Sequence, residues 1–307
     1  MAWLLDKEVR RELPEEWKGI VPTKVFLQEA LSIVEKASAT GITLRVLGGL
    51  GVAIHCSELV EFAEKLGRVG TNMVQGQEYS DIDFMAYSKQ REKVKELFSN
   101  LGYVKRKATL SSAASERQIY YHPKGWFYVD VFFDKLLVAN HPLDFKGRLE
   151  LDYPTVSITD ILLEKVQMWE AFSAKDLKDC LLILKSHAVE TKTEKENIDA
   201  EQIAKLLSED WGFWYTATTN LKKIVKFVHE IDRLGKEVGI DTNNLKKDEL
   251  EEIKARINKL LEIIEAKPKP FKWKVRAKIG TKQRWYNPVE RPETVSGFGI
   301  WEAILRQ

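Results

Sequence analysis

Glu78-Tyr79-Ser80-Asp81-Ile82-Asp83-Phe84-Met85-Ala86 is the stretch on which the reading of this chain turns. Residues 81–87 have the alternation and apolar content of a β-strand. In a strand, residues i and i+2 point to one face, so Asp81 and Asp83 project side by side. Like charges that close repel unless a cation lies between them, and hard divalent cations such as Mg²⁺ take oxygen ligands of this kind. On this pair alone, two solvated acids at an exposed strand end are an equal reading.

Upstream, Val25, Phe26, Ala30, Ile33 and Val34 fall at helical spacing over 23–38. Thr43-Leu44-Arg45-Val46-Leu47 reads as a short strand that runs into Gly48-Gly49, with a short helix over about 50–56. Glycines there let the backbone approach a phosphate while a helix N-terminus offers free N–H donors. The same pair also serves as a plain tight connection.

Downstream, 89–101 is an amphipathic helix closed by Gly102, followed by β-rich stretches at 103–109, 116–122 and 126–133 and a further strand expected over 149–157. The run Trp126 to Phe133 is aromatic and β-branched, lacks breakers and fits an interior strand. It carries Asp130, and a lone Asp in such a run is costly to bury without a partner. Either Asp130 faces solvent or it joins a site. If its strand lies beside that of Asp81, three acids converge as two-metal phosphoryl chemistry requires. Asp134 reads as a structural strand end.

The character changes near 157. Ser157-Ile158-Thr159-Asp160 has the form of a capping box and opens a helix through about 172. Further helices are expected over 174–187, 199–207, 211–235 and 245–266, ended by Pro268 and Pro270. The expected fold class is α+β (α/β): a mixed sheet with flanking helices over 1–157, a helical domain over 158–266 and a basic aromatic segment over 267–307.

The chain has 307 residues and is 44% hydrophobic, enough to bury a core and to argue against disorder. Its net charge of +2 implies no global attraction to polyanions, but residues 267–307 carry ten Lys/Arg against three Asp/Glu, leaving residues 1–266 at −5. Cys56 and Cys180 match no disulfide framework or zinc spacing and read as reduced core thiols. There is no run of about 18 apolar residues and no basic-then-apolar start, so a cytoplasmic protein with no membrane partner is expected.

Lys272 to Lys278 alternates basic and apolar residues, which suggests a strand with one cationic face. It suits either an RNA surface, with rings to stack on bases, or an arm packed on the acidic body. Trp211, Phe213, Trp214 and Tyr215 read as packing between helices. His55 reads as a satisfied helix histidine, and His122 and His141, beside prolines, as turn residues. Glu116 and Arg117 precede a strand without a physical reason to place them in a site.

Gly48-Gly49, then Asp81-x-Asp83, then a later strand Asp resembles the nucleotidyltransferase superfamily with the polymerase-beta-like core, with an insertion over 58–80. The resemblance extends to Lys165 on one helix and Asp176-x-x-Asp179 opening the next, which is similar to the second motif of the AbiEii-like branch. It covers roughly 25–187. It departs at Glu78-Tyr79-Ser80, where the family often has Arg or Lys, and at Lys175, where the second motif usually begins with Arg. The resemblance implies a nucleotidyltransferase-like domain and an enzyme that moves a nucleoside monophosphate from an NTP to an acceptor hydroxyl with Mg²⁺ (or Mn²⁺). Asp81 and Asp83 then hold the metals, and Asp130 completes the site and helps deprotonate the acceptor. Gly48 and Gly49 cradle the triphosphate, and Lys165 neutralises it. Asp176 acts near the metal or as a base, supported by Asp179. An RNA end bound through 267–307, a protein side chain or a small alcohol is the expected acceptor, and the toxin-like branch implies an antitoxin-like partner. The alternatives are a non-catalytic nucleotide- or RNA-binding protein on the same scaffold and an RNA-binding protein driven by the tail.

Overall fold

Phe26, Ala30, Ile33, Val34 and Ala37 repeat at helical spacing and are all buried, which makes Thr23–Ala39 (α1) an amphipathic helix with one core-facing stripe. It ends at Thr40, whose hydroxyl donates to the Ala37 carbonyl. The computed structural model describes residues 13–68, 78–107, 117–170, 172–192 and 195–289. The described chain divides into two units that are not contiguous in sequence. The first lies within Met1–Ile54, Gly70–Leu137 and Pro142–Ser157, and the second within His55–Val69, Val138–His141 and Ile158–Gln307.

The first unit is built on a mixed sheet. Its strands are Leu44–Val46 (β1), Asp81–Ala86 (β2), Val104–Lys105 (β3), Arg117–Tyr121 (β4), Tyr128–Phe133 (β5), Lys135–Leu136 (β6) and Leu143–Asp144 (β7). The main order is β1-β2-β5-β4-β3, with β6 pairing β5 and β7. The β2–β5 pair is parallel, while β1–β2, β5–β4 and β4–β3 are antiparallel. Helix Gly48–His55 (α2) follows β1, and helix Arg91–Asn100 (α4) follows β2; Val60–Lys65 (α3) belongs to the second unit. Ile82, Phe84 and Ala86 of β2 and Val129, Val131 and Phe133 of β5 enter the core with Phe26, Ile33 and Phe98. Phe98 of α4 stacks on Tyr120 of β4 with centroids 4.4 Å apart.

Residues 149–157 do not form the expected strand. Arg148 and Leu151 donate into turns, and the segment meets β1 at a single parallel bridge between Val46 and Thr155. Pro154 has no N–H to extend a ladder.

The second unit is helical: Ile158–Val166 (α5), Ala174–Ser186 (α6), Ala200–Glu209 (α7), Trp211–His229 (α8), Ile231–Leu234 (α9), Lys247–Ala266 (α10) and Phe271–Ile279 (α11), with a small parallel pair of Val189–Glu190 (β8) and Ile198–Asp199 (β9). Helix α5 stops short of the expected 172 because the Asn220 side chain donates to the Val166 and Met168 carbonyls and so satisfies its end. Helix α8 stops at His229; Glu230 leaves the helical region (φ −105°, ψ 21°) before α9 begins.

The expected strand at Lys272 to Lys278 is a helix. Pro270 stands at its N-cap, and the Trp273 indole turns inward to donate to the Leu207 carbonyl and pack edge-on against Trp214. Further on, Trp285 donates to Thr216 and packs on Trp169, Trp211 and Tyr215, while Asn140 and Asn287 exchange hydrogen bonds. The aromatic cluster around Trp211 is packing, as expected, and Trp273, Trp285 and Tyr286 of the tail belong to it, whereas Phe271 is exposed. Glu116, Phe298 and Trp301 lie outside the described residues. No helix among the described residues is long and apolar enough to cross a membrane.

Candidate active site

The sheet brings the aspartates together. Asp83 of β2 is the register partner of Asp130 of β5, and Asp81 is that of Tyr128. The alternate residues of both strands fill the core, so Asp81, Asp83 and Asp130 share the opposite face. Asp81 and Asp83 are partly exposed, whereas Asp130 is only 6% exposed. Asp81 Oδ1 accepts from the Ser80 hydroxyl at 2.9 Å.

Gly48 closes this face from the β1–α2 turn. Its φ is +70°, in the left-handed region, and a Cβ there would stand 2.7 Å from Asp83 Oδ2. The Leu47 N–H donates to the Asp83 carbonyl at 3.1 Å, so the turn is fastened to the acidic strand. Gly49 is the second residue of α2.

Asp130 has an ion-pair partner, Arg117, that the sequence did not reveal. Arg117 Nη1 donates to Asp130 Oδ2 at 2.7 Å. Asp130 pairs directly with Ile119 across β4–β5, which makes Arg117 its diagonal neighbour on the same face. The other carboxylate oxygen, Oδ1, is buried with no hydrogen-bond partner, as is Arg117 Nε. Burial, reinforced by Asp81, pushes the Asp130 carboxyl up to about 7 against the opposing pull of Arg117 and Arg106. Arg117 was legible only as a charged residue opening a strand; its role needed the β4–β5 register.

The other residues of the sequence pattern have local partners. Glu78 is buried and accepts from the Thr23 hydroxyl, a tie between α1 and the start of β2. Asp134 has φ +58° and accepts from both the backbone and the hydroxyl of Ser88, so it is structural as expected. In the second unit, Asp176 forms a capping box with Ser173 at the start of α6. Asp179 is fully buried between two cations. Its Oδ1 accepts from Arg68 Nε at 2.6 Å, and Lys165 Nζ lies 3.2 Å from Oδ2. That second contact is misaligned for a hydrogen bond, so charge attraction carries it. Lys165 Nζ also lies 3.6 Å from Asp176 and 4.0 Å from Glu164. Burial acts to lower the Lys165 ammonium, but Asp179, then Glu164 and Asp176, raise it well above the ordinary lysine value. Burial likewise opposes the charge on Asp179, and Arg68 and Lys165 overcome it to hold the carboxyl low.

His122 and His141 lie in turns but are more than turn residues. His122 stacks on Trp126, and His141 is buried against Phe213 with Nε2 2.8 Å from the Thr216 hydroxyl. Cys56 and Cys180 are buried free thiols. Among the described residues, the group of three ligand-type side chains with all ligand atoms within 4.8 Å of one another is His55, His187 and Glu196; the three aspartates are more widely spaced. Comparison with protein-family models, with curated proteins and with solved structures found no match to this chain.

Proposed function

We propose that this protein is a divalent-cation-dependent nucleotidyltransferase whose site is the acidic sheet face closed by Gly48. The observation that carries the reading is the Asp83–Asp130 register pair, with a buried, unpartnered carboxylate oxygen on Asp130 and no room for a side chain between Asp83 and Gly48. Three carboxylates are the donor set of a hard cation, and Mg²⁺ is commonly bound by one or two carboxylates plus substrate phosphates, without a preformed protein cage. Asp81, Asp83 and Asp130 would hold it. When bound it would neutralise the triphosphate and polarise the α-phosphate.

In this reading Asp81 and Asp83 would position the nucleotide through the cation they hold, and the Gly48-Gly49 turn keeps the backbone close to it. Asp130, whose Oδ1 has no hydrogen-bond partner among the described residues, would take the proton of the acceptor hydroxyl there. The acceptor oxygen bonds to the α-phosphorus, the α–β phosphoanhydride bond breaks, and pyrophosphate leaves with the electron pair. Lys165 and Asp176 have ion-network and capping roles in their own unit, and the proposal assigns them no step.

The test is incubation of the full chain with each labelled NTP, Mg²⁺ or Mn²⁺, and total RNA or lysate protein as acceptor. Label transfer and pyrophosphate release that vanish in Asp81→Asn and Asp83→Asn support the reading. Equal transfer with both acids replaced sinks it. An RNA acceptor is favoured by the exposed Lys272, Lys274 and Lys278 of α11. Replacing these three by Glu should then weaken RNA labelling without weakening NTP binding.

A further inference from the structure

His55, the last residue of α2, meets His187, the residue after α6, and Glu196, just before β9, within the second unit although it is far from both in sequence. His55 Nδ1 lies 2.9 Å from Glu196 Oε2, and His187 Nε2 lies 3.1 Å from the same oxygen. The two rings stand at 80° with centroids 5.6 Å apart. One ligand atom from each residue falls within 4.8 Å of the other two. Both imidazoles are buried, at 9% and 4% exposure, while the Glu196 side chain is half exposed.

Two further features point to a cation between these groups. His187 Nδ1 is buried with no hydrogen-bond partner among the described residues. His187 Nε2 and His55 Nδ1 both converge on Glu196 Oε2, so two ring nitrogens and one carboxylate oxygen surround a single point. A metal ion among these three atoms would be coordinated by all of them at once. Glu196 also holds a left-handed backbone (φ +65°) although it is not glycine. That conformation costs on the order of 1–2 kcal/mol, and the residue that holds it is the one whose carboxylate meets both rings.

We propose that His55, His187 and Glu196 form a site for a first-row transition-metal cation, Zn²⁺ in the first instance, with water completing the coordination. Two imidazole nitrogens and one carboxylate oxygen suit Zn²⁺ and disfavour Mg²⁺ or Ca²⁺, which take oxygen ligands. Two neutral rings and one carboxylate leave a single negative charge for the cation to meet. The half-exposed carboxylate leaves the remaining coordination position to solvent. Bound there, the ion would pin the end of α2, the end of α6 and the β8–β9 connection to one another. The site shares no residue with the acidic sheet face, and its existence does not depend on the nucleotidyltransferase reading.

The experiment uses the full chain, stripped with a chelator and titrated with Zn²⁺ against a chromophoric competitor, and then with Co²⁺ followed by its visible absorption. One equivalent per chain is expected, with Co²⁺ bands of a low-coordinate N/O site and a rise in Tm on Zn²⁺ addition. Glu196→Gln and His187→Asn should each weaken Zn²⁺ binding by about tenfold or more. His229→Asn, on the exposed end of α8, should leave it unchanged. Glu196→Gln keeps the side-chain shape at a half-exposed position, so circular dichroism can verify that it folds if His187→Asn does not. Asp81→Asn with Asp83→Asn should retain full Zn²⁺ affinity. Absence of saturable binding, unchanged affinity in Glu196→Gln, or loss of binding in the aspartate variant overturns the assignment.

Discussion

Gly48 and Asp83 stand so close that a Cβ on Gly48 would lie 2.7 Å from the Asp83 carboxylate. Gly48 also has φ +70°, so a side chain there is opposed by both the backbone and the neighbouring acid. Gly48→Ala should therefore cost about 1–2 kcal/mol from the left-handed conformation alone. Urea denaturation measures that cost. Displacement of Asp83 should lower Mg²⁺-dependent NTP turnover further, by about a hundredfold for a shift on the order of 1 Å. Turnover that falls no more than the folded fraction does would count against a site at this turn.

Asp130 makes the protein less stable as pH rises. Its folded-state carboxyl is pushed up to about 7, whereas an unfolded Asp titrates at about 4. The native state therefore keeps a proton that the unfolded chain releases across that window, and the group's contribution to stability falls between about pH 4 and 7. The span is on the order of a few kcal/mol. The groups facing it are Arg117, Arg106 and Asp81. Measured without divalent cations, Asp130→Asn should flatten this fall and abolish nucleotidyl transfer. A pH profile identical to that of the unaltered protein would contradict the burial argument.

Asp179 neutralises two buried cations at once. Asp179→Asn should destabilise the chain by about 3–5 kcal/mol, because it leaves Arg68 and Lys165 buried without their carboxylate. Lys165→Met should cost less, since Arg68 still pairs with Asp179. Guanidinium unfolding midpoints of the two variants give the order, and the reverse order would show that Lys165 carries the network.

His141 should govern part of the acid limb. Burial against Phe213 lowers its imidazole to about 4. The stability that comes from the neutral ring is complete above the unfolded value of about 6.5 and is lost as pH falls toward 4. Between pH 6.5 and 5 the loss is about 2 kcal/mol. His141→Phe keeps the ring packing, gives up the Thr216 hydrogen bond, and should show a shallower Tm decline over that range.

Much of the fold was legible because its signals are local. The α1 stripe from Phe26 to Ala37 follows a period of 3.6, and Ile82, Phe84 and Ala86 follow a period of 2. The tail shows where such reasoning fails. Seven residues of alternating basic and apolar character at Lys272 to Lys278 match a strand as well as a helix. Pro270 and the packing of Trp273 on Leu207 and Trp214 decide for the helix, and neither partner is near it in sequence. The strand expected over 149–157 failed for a related reason: Leu149 and Val156 are buried from a turn-rich segment that has only one bridge to β1, while Leu151 and Tyr153 are exposed.

The sequence by itself determined that Asp81 and Asp83 share a strand face, that Gly48-Gly49 ends a strand, and that Asp130 sits in an apolar run that must account for its charge. Alternation and the cost of burying a carboxylate need no partner to be recognised. Only the tertiary structure decided that Asp130 stands beside Asp83, that Arg117 pairs with it, that Asp179 lies between Arg68 and Lys165, and that His55, His187 and Glu196 converge. Each of these depends on strand register or on contacts between distant segments. Electrostatic interactions act through space, and no spacing along the chain records which charges folding will bring together.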